Sequence, residues 1–308
     1  MKKICLLTFV LILGLLLAAC GGTTPETTAP VEEPAAEVVE EAVEPTAAPV
    51  EEPEPPEALA EPTAAPAMEV TDEQLDEVFQ RFIDGMKGYD SLGIEPLNEM
   101  LATEAPFLLD VREASELEEN GWIEGAVHVP GREVVARTDV LPAQDETVVV
   151  YCGSGWRCTI VLPMLDALGW QNTLALKGGS FGGWVEAGYP VATGELPVAE
   201  AGAAVEVDPA LAAHFNEVLT AMPEGYGGIS VDELNTAIAE NPDLILIDAR
   251  TAEEVAESGS IDAPNVQFIP IEEFIARRAE WPADKDAAIV VYCGSGHRST
   301  IALPLMWA

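Results

Sequence analysis

The chain has 308 residues, 48% of them apolar, which is enough for about two domains with packed cores. A formal net charge of −40 excludes nucleic acid as a partner and excludes docking on anionic lipid through a basic face. The five cysteines (Cys5, Cys20, Cys152, Cys158, Cys293) are too scattered for a disulfide framework. Neither they nor His128, His214 and His297 have zinc spacing, so no metal and no cofactor is expected.

Lys2 and Lys3 precede an apolar run over residues 4–17 that is short for a membrane span and ends in Leu17-Ala18-Ala19-Cys20. This pattern reads as a signal peptide over 1–19. The Leu-Ala-Ala-Cys ending resembles a bacterial lipoprotein lipobox. That resemblance implies cleavage before Cys20, lipid attachment there, and an extracytoplasmic location at the cell membrane, on the periplasmic or cell-surface side. Residues 20–68 are rich in Pro, Ala, Thr, Val and Glu and hold no Lys or Arg. Such a segment cannot bury enough surface to order itself, so a disordered tether is expected. At its prolines' extended pitch it would reach on the order of 100 Å.

Two similar stretches follow, expected as domains over 69–199 and 200–308. Leu75, Phe79, Phe82, Ile83 and Met86 fall on one helical face, and Leu211, Phe215, Val218, Leu219 and Met222 repeat that spacing. Thr71-Asp72-Glu73 and Asp208-Pro209 supply the helix starts. Gly88-Tyr89 and Gly225-Tyr226 come next, each before a second short helix. Phe107-Leu108-Leu109-Asp110-Val111-Arg112 then parallels Leu244-Ile245-Leu246-Ile247-Asp248-Ala249-Arg250. Val148-Val149-Val150-Tyr151-Cys152 parallels Ile289-Val290-Val291-Tyr292-Cys293. Short unbroken apolar runs with helical patterns between them predict parallel strands covered on both faces, an α/β fold. Only fifteen residues follow Cys293, against a further strand and helix after Cys152, so the second domain is expected to be incomplete. Pro163 and Pro304 should bend or shorten the helix after each cysteine.

Each cysteine ends a strand and opens a six-residue loop, Cys152-Gly153-Ser154-Gly155-Trp156-Arg157 and Cys293-Gly294-Ser295-Gly296-His297-Arg298. Sites in open α/β sheets lie beyond the carboxyl ends of strands. Small residues let successive amides converge, the following helix adds its positive end, and the arginine adds a fixed charge. All three favour a thiolate, the reactive form of cysteine. The sequence resembles the rhodanese family in these loops and in Asp-x-Arg after a strand. The resemblance extends to Ile123-Glu124-Gly125-Ala126-Val127-His128-Val129-Pro130 and to Leu176-Lys177-Gly178-Gly179 before Trp184 and Gly188-Tyr189-Pro190.

The resemblance implies two doubly covered parallel sheets in tandem and sulfurtransferase activity. Sulfane sulfur would move from a small donor such as thiosulfate to a thiophilic acceptor, through persulfides on Cys152 and Cys293. In the related phosphatase and arsenate-reductase group the loop is one residue longer, so the loop here suits sulfur rather than phosphate. Asp110 with Arg112, and Asp248 with Arg250, would be ion pairs bracing the loops. Cys158 reads as a buried helix residue, since Ser299 holds its place in the second stretch; the alternative is a thiol that resolves Cys152. His297 reads as an exposed loop residue, Trp156 as a gate or a cover, His128 as structural, and Trp170 and Trp184 as core. The rival functions are a non-catalytic binding or scaffold module and a thiol redox protein.

Overall fold

The described residues of the computed structural model are 69–308; the expected signal peptide, Cys20 and the tether lie outside them. Helix α1 (Asp72–Gly85) starts where its capping box predicts, with Thr71 accepting from the Gln74 amide at 3.2 Å and Gln74 returning to the Thr71 amide at 3.0 Å. Its buried face is Leu75, Phe79, Phe82 and Ile83. The first half continues through β1 (Ser91–Leu92), α2 (Ile94–Thr103), β2 (Phe107–Asp110), α3 (Ala114–Asn120) and β3 (Val127–His128). It then runs through β4 (Val148–Tyr151), α4 (Trp156–Ala167), β5 (Thr173–Leu176) and α5 (Ser180–Glu186). The five strands form one parallel sheet in the order β1-β5-β4-β2-β3.

The second half has the same opening order. It comprises α6 (Pro209–Ala221), α7 (Val231–Glu240), β6 (Ile245–Asp248), α8 (Ala252–Ser258), β7 (Val266–Phe268), β8 (Ile289–Tyr292) and α9 (His297–Trp307). Asp208 caps α6 by accepting from the Ala210 and Leu211 amides. Among the described residues its parallel sheet has three strands, β7-β6-β8, with β8 at an edge.

Strand β4 is buried at all four positions, as its unbroken Val-Val-Val-Tyr run requires. Helix α4 is apolar on every side and is buried continuously from Cys158 to Leu165, because it lies between the first sheet and α9. The larger core is common to both halves: it joins Phe79 to Phe215, whose rings are 5.8 Å apart, and continues to Ile301 and Leu305. Arg132 from the first half closes the end of α6, donating to the carbonyls of Leu219, Met222 and Pro223 at 2.7–2.8 Å. These carbonyls lack helical partners, so a cation there satisfies both charge and hydrogen bonding. The expected shortening by proline does not occur. Helix α4 continues four residues past Pro163 and α9 three past Pro304, since only the carbonyl one turn back loses its helical donor and packing on both sides holds the rest. No helix among the described residues is long and apolar enough to cross a membrane.

Candidate active site

Cys152 lies one residue beyond β4 and Cys293 one residue beyond β8, at the carboxyl ends of their strands. The loops are shorter than six residues, because α4 begins at Trp156 and α9 at His297. Trp156, Arg157, His297 and Arg298 therefore stand on the first helical turns, and only Cys152-Gly153-Ser154-Gly155 and Cys293-Gly294-Ser295-Gly296 are loop. The turn into each helix requires φ of +103° at Gly155 and +90° at Gly296, left-handed backbone that favours glycine. This conformation aims the Gly155 amide at Cys152 Sγ (3.2 Å) and the Gly296 amide at Cys293 Sγ (3.1 Å).

The cradle favours anionic sulfur. The Cys158 thiol, the largest influence, together with the amides of Cys158, Ser154 and Gly155, outweighs burial and lowers the Cys152 pKa to about 5. Burial opposes the Cys293 thiolate, but the Ser299, Ser295 and Gly296 amides and the Ser299 hydroxyl overcome it and lower that pKa too. Cys158 and Ser299 are thus more than core residues: each places a side-chain atom that can donate to a thiolate 3.7 Å from its nucleophile. Cys158 itself is fully enclosed, and burial and the adjacent Cys152 keep its thiol protonated.

The arginines do not sit on the sulfurs. Arg157 forks Glu116 at 2.5 and 2.7 Å, and Arg298 forks Glu254 with two contacts of 2.6 Å. Each carboxylate also closes its own helix start, accepting from the Glu113 amide at 2.9 Å or the Thr251 amide at 3.0 Å. One acidic side chain therefore ties α3 to α4, and another ties α8 to α9. Charge-assisted forks of this kind fix orientation as well as adding energy. Sequence reasoning missed Glu116 and Glu254; the available signal was a glutamate six residues after the aspartate in both stretches.

Asp110 and Arg112 form the expected buried pair, with contacts of 2.6–3.1 Å, and Arg112 also donates to the Gly121 carbonyl. The Arg112 guanidinium lies 3.8 Å from the Phe181 ring centre. Asp248 and Arg250 repeat the arrangement, with Arg250 reaching the Gly259 carbonyl. His128 braces the same region through Nε2 and the Arg112 carbonyl, and Trp170 and Trp184 are core.

Each site is also faced by a tyrosine from the other half. Tyr89 lies under Arg298, 5.2 Å from guanidinium to ring centre, and Tyr226 accepts from the Trp156 indole through its carbonyl at 3.4 Å. The Tyr89 hydroxyl is held by Glu272, whereas the buried Tyr226 hydroxyl has no protein partner. Both tyrosines have positive φ, 60° and 56°. Such strain in a non-glycine residue persists only where the surroundings impose it. His297 is not an exposed loop residue: it is half-buried and holds the Tyr89 carbonyl at 2.7 Å.

The two sites differ in access. Cys152 is 1% exposed, while Cys293 is partly exposed and opens on a cleft of about 820 Å³ along β8, which Trp156 also lines. A second cavity of about 370 Å³ lies between the two loops, bounded by Ser154, Trp156, Lys177, Ser295 and His297. Trp156 is therefore a cover shared by both sites. No group of three or more His, Cys, Asp or Glu is placed to hold a metal among the described residues.

Comparison with known proteins adds the family. The rhodanese-like domain model matches residues 94–187 and 230–308. A sulfurtransferase of Allochromatium vinosum is 33% identical over 102 residues, covering 33% of this chain and 92% of its own. A solved rhodanese-related protein from Thermoplasma volcanium is 31% identical over 34% of this chain and 98% of its own, with a TM-score of 0.31. A 3-mercaptopyruvate sulfotransferase structure from Escherichia coli is 23% identical over 70% of this chain and 92% of its own, also with a TM-score of 0.31. Because the two matched segments together span more than half of the sequence, and each carries a cysteine cradle at the end of a parallel strand, the chain belongs to the rhodanese-like domain family.

Proposed function

We propose that this protein is a sulfurtransferase carrying sulfane sulfur on Cys152 and Cys293, between a small donor such as thiosulfate and a thiophilic acceptor. The observation that supports it most is the pair of amide contacts, Gly155 to Cys152 and Gly296 to Cys293, which stabilise sulfur as an anion. In the first step the thiolate attacks the outer sulfur of thiosulfate. A bond to Cys Sγ forms, the sulfur–sulfur bond of the donor breaks, and sulfite leaves with the electron pair. The persulfide then bears the negative charge on its outer sulfur, where the remaining amides can face it. In the second step a nucleophilic acceptor takes the outer sulfur and the cysteine thiolate is the leaving group, favoured by its low pKa.

The lipobox-like Leu17-Ala18-Ala19-Cys20 supports a lipid anchor at Cys20, which would place this chemistry outside the cytoplasm at a membrane. The test of the function is sulfite release on mixing the protein with thiosulfate. We expect one equivalent for each competent cysteine, with the respective share lost in Cys152→Ser and in Cys293→Ser. No sulfite release from either cysteine, at any thiosulfate concentration, would overturn the reading.

A further inference from the structure

The two cysteines nearest the first site are not equivalent to the cysteine and serine of the second. Cys152 Sγ and Cys158 Sγ lie 3.7 Å apart, in van der Waals contact, and Cys293 Sγ has the Ser299 hydroxyl at the same distance. A disulfide bond is about 2.0 Å long, so closure asks for an approach of about 1.7 Å. The segment between the two cysteines includes Gly153 and Gly155, the residues best able to absorb that shift. Cys158 is the third residue of α4 and is sealed from solvent, with the Leu176 carbonyl 3.8 Å from its sulfur. No solvent-borne thiol can approach Cys152 from that side; Cys158 already occupies it.

We propose that Cys158 is a resolving thiol that converts a persulfide on Cys152 into a Cys152–Cys158 disulfide and releases hydrosulfide, so that the first site reduces sulfane sulfur while the second only carries it. This rests on the persulfide reading above. Cys158 Sγ attacks Cys152 Sγ, the inner sulfur of the persulfide. The new bond joins the two cysteine sulfurs, and the bond between Cys152 Sγ and the outer sulfur breaks. The outer sulfur leaves as hydrosulfide, carrying the electron pair and the proton given up by Cys158. The sulfane sulfur is thereby reduced by two electrons, the two cysteines are oxidised, and no outside oxidant is needed. A dithiol reductant then returns the disulfide to two thiols by exchange.

Loading itself sets the order of events. While Cys152 is a thiolate, its charge and its acceptance of the Cys158 proton both oppose ionisation of Cys158. Once Cys152 carries a second sulfur the negative charge sits on the outer sulfur, and Cys152 Sγ, now neutral and no longer the acceptor of the Cys158 proton, is open to attack. The Ser299 hydroxyl has no such chemistry, since an alcohol neither expels sulfide nor forms a stable bond to sulfur. The reactive pair is therefore confined to the enclosed site, where a persulfide is least accessible to large acceptors.

The experiment uses the full chain in a Cys293→Ser background, treated with thiosulfate without any added thiol. Intact mass, sulfide and cysteine-peptide mapping are followed together. The expected result is about one equivalent of sulfide and a mass about 2 Da below the reduced protein, with Cys152 and Cys158 linked. With Cys158→Ser added, the protein holds a gain of about 32 Da and releases no sulfide. Serine already occupies the matching position of the second site; Cys158→Ala gives a second variant with the same expected reading. If both proteins keep the gained sulfur, the persulfide reading stands and the resolving role is overturned. If neither the Cys293→Ser protein nor its Cys158 variants release sulfite or gain sulfur, the persulfide reading itself fails and the resolving role falls with it.

Discussion

His297 Nδ1 lies 3.1 Å from Thr159 Oγ1, joining the first turn of one cysteine helix to the other, while the same hydroxyl is 2.7 Å from the Gly155 carbonyl. The hydroxyl has one proton for two acceptors when the imidazole is neutral, because His297 Nε2 must donate to the Tyr89 carbonyl. Burial, ahead of the nearby Lys177 and Arg298 charges, lowers the His297 pKa despite the Tyr89 carbonyl. The neutral ring at Nδ1 and the Gly155 carbonyl therefore compete for the one Thr159 proton, and the two loops share a hydrogen-bond network centred on this hydroxyl.

A histidine whose pKa is lower folded than unfolded contributes stability that is complete above its unfolded value and is lost as pH falls through the folded value. Urea midpoints should therefore fall as pH is lowered through and below the ordinary histidine value, about 6.5. His297→Gln keeps a donor and an acceptor without the titration and should flatten part of that slope. An unchanged slope would show that the histidine titrates alike in the folded and unfolded chain.

Cys152 should titrate near pH 5, as a thiolate above and a thiol below. The Cys152-dependent part of the thiolate ultraviolet absorbance, taken as the difference from Cys152→Ser, reads this directly. Cys158→Ala removes the largest stabilising contact and should move the inflection up by more than about one unit, which is about 1.4 kcal/mol. Gly155→Ala should move it in the same direction, since alanine is strained at φ +103° and the amide would turn off the sulfur.

Asp110→Ala should cost about 3–5 kcal/mol in denaturant unfolding, because it strands Arg112, 1% exposed, as an unpaired buried charge. Asp139→Ala removes a partner from the exposed Arg137 pair and should cost less than about 1 kcal/mol. The contrast is the test: similar costs at the two positions would mean that the Asp110 pair relaxes into water on mutation.

Tyr226→Phe should not destabilise the fold, because the hydroxyl it deletes is buried without a partner; a gain of up to about 1 kcal/mol is expected. Tyr226→Ala should cost about 3 kcal/mol or more, since the ring packs in the shared core under Arg132. The orphan hydroxyl belongs to a residue whose surroundings include the charges of Arg157 and Cys152. Tyr226→Phe should accordingly raise the KM for the sulfur donor at Cys152 and leave Cys293 unaffected.

Much of this is legible in the sequence. The Val148–Tyr151 run, the glycine loops and the recurrence of Asp-x-Arg were enough to place parallel strands, two cysteine cradles and the bracing pairs, because these depend on local backbone requirements and on apolar periodicity. Not legible was which donor would reach each sulfur. Five residues lie between Cys152 and Cys158, and only the turn at Gly155 brings their sulfurs into contact. The loop arginines looked like ligands of the sulfurs, yet Glu116 and Glu254 claim them from other helices, a competition between distant segments that composition does not encode.

The amino-acid order by itself determined the α/β class, the strand ends on which Cys152 and Cys293 sit, and the glycines that let amides converge there, since each follows from short-range sterics and periodicity. The tertiary structure alone decided that the two halves share a core, that Tyr89 and Tyr226 cross to face each other's sites, and that Cys152 is enclosed while Cys293 opens on a cleft. The physical reason is that burial and partner choice depend on which surfaces meet, and residues such as Thr159 and His297 come together only when α4 and α9 pack side by side.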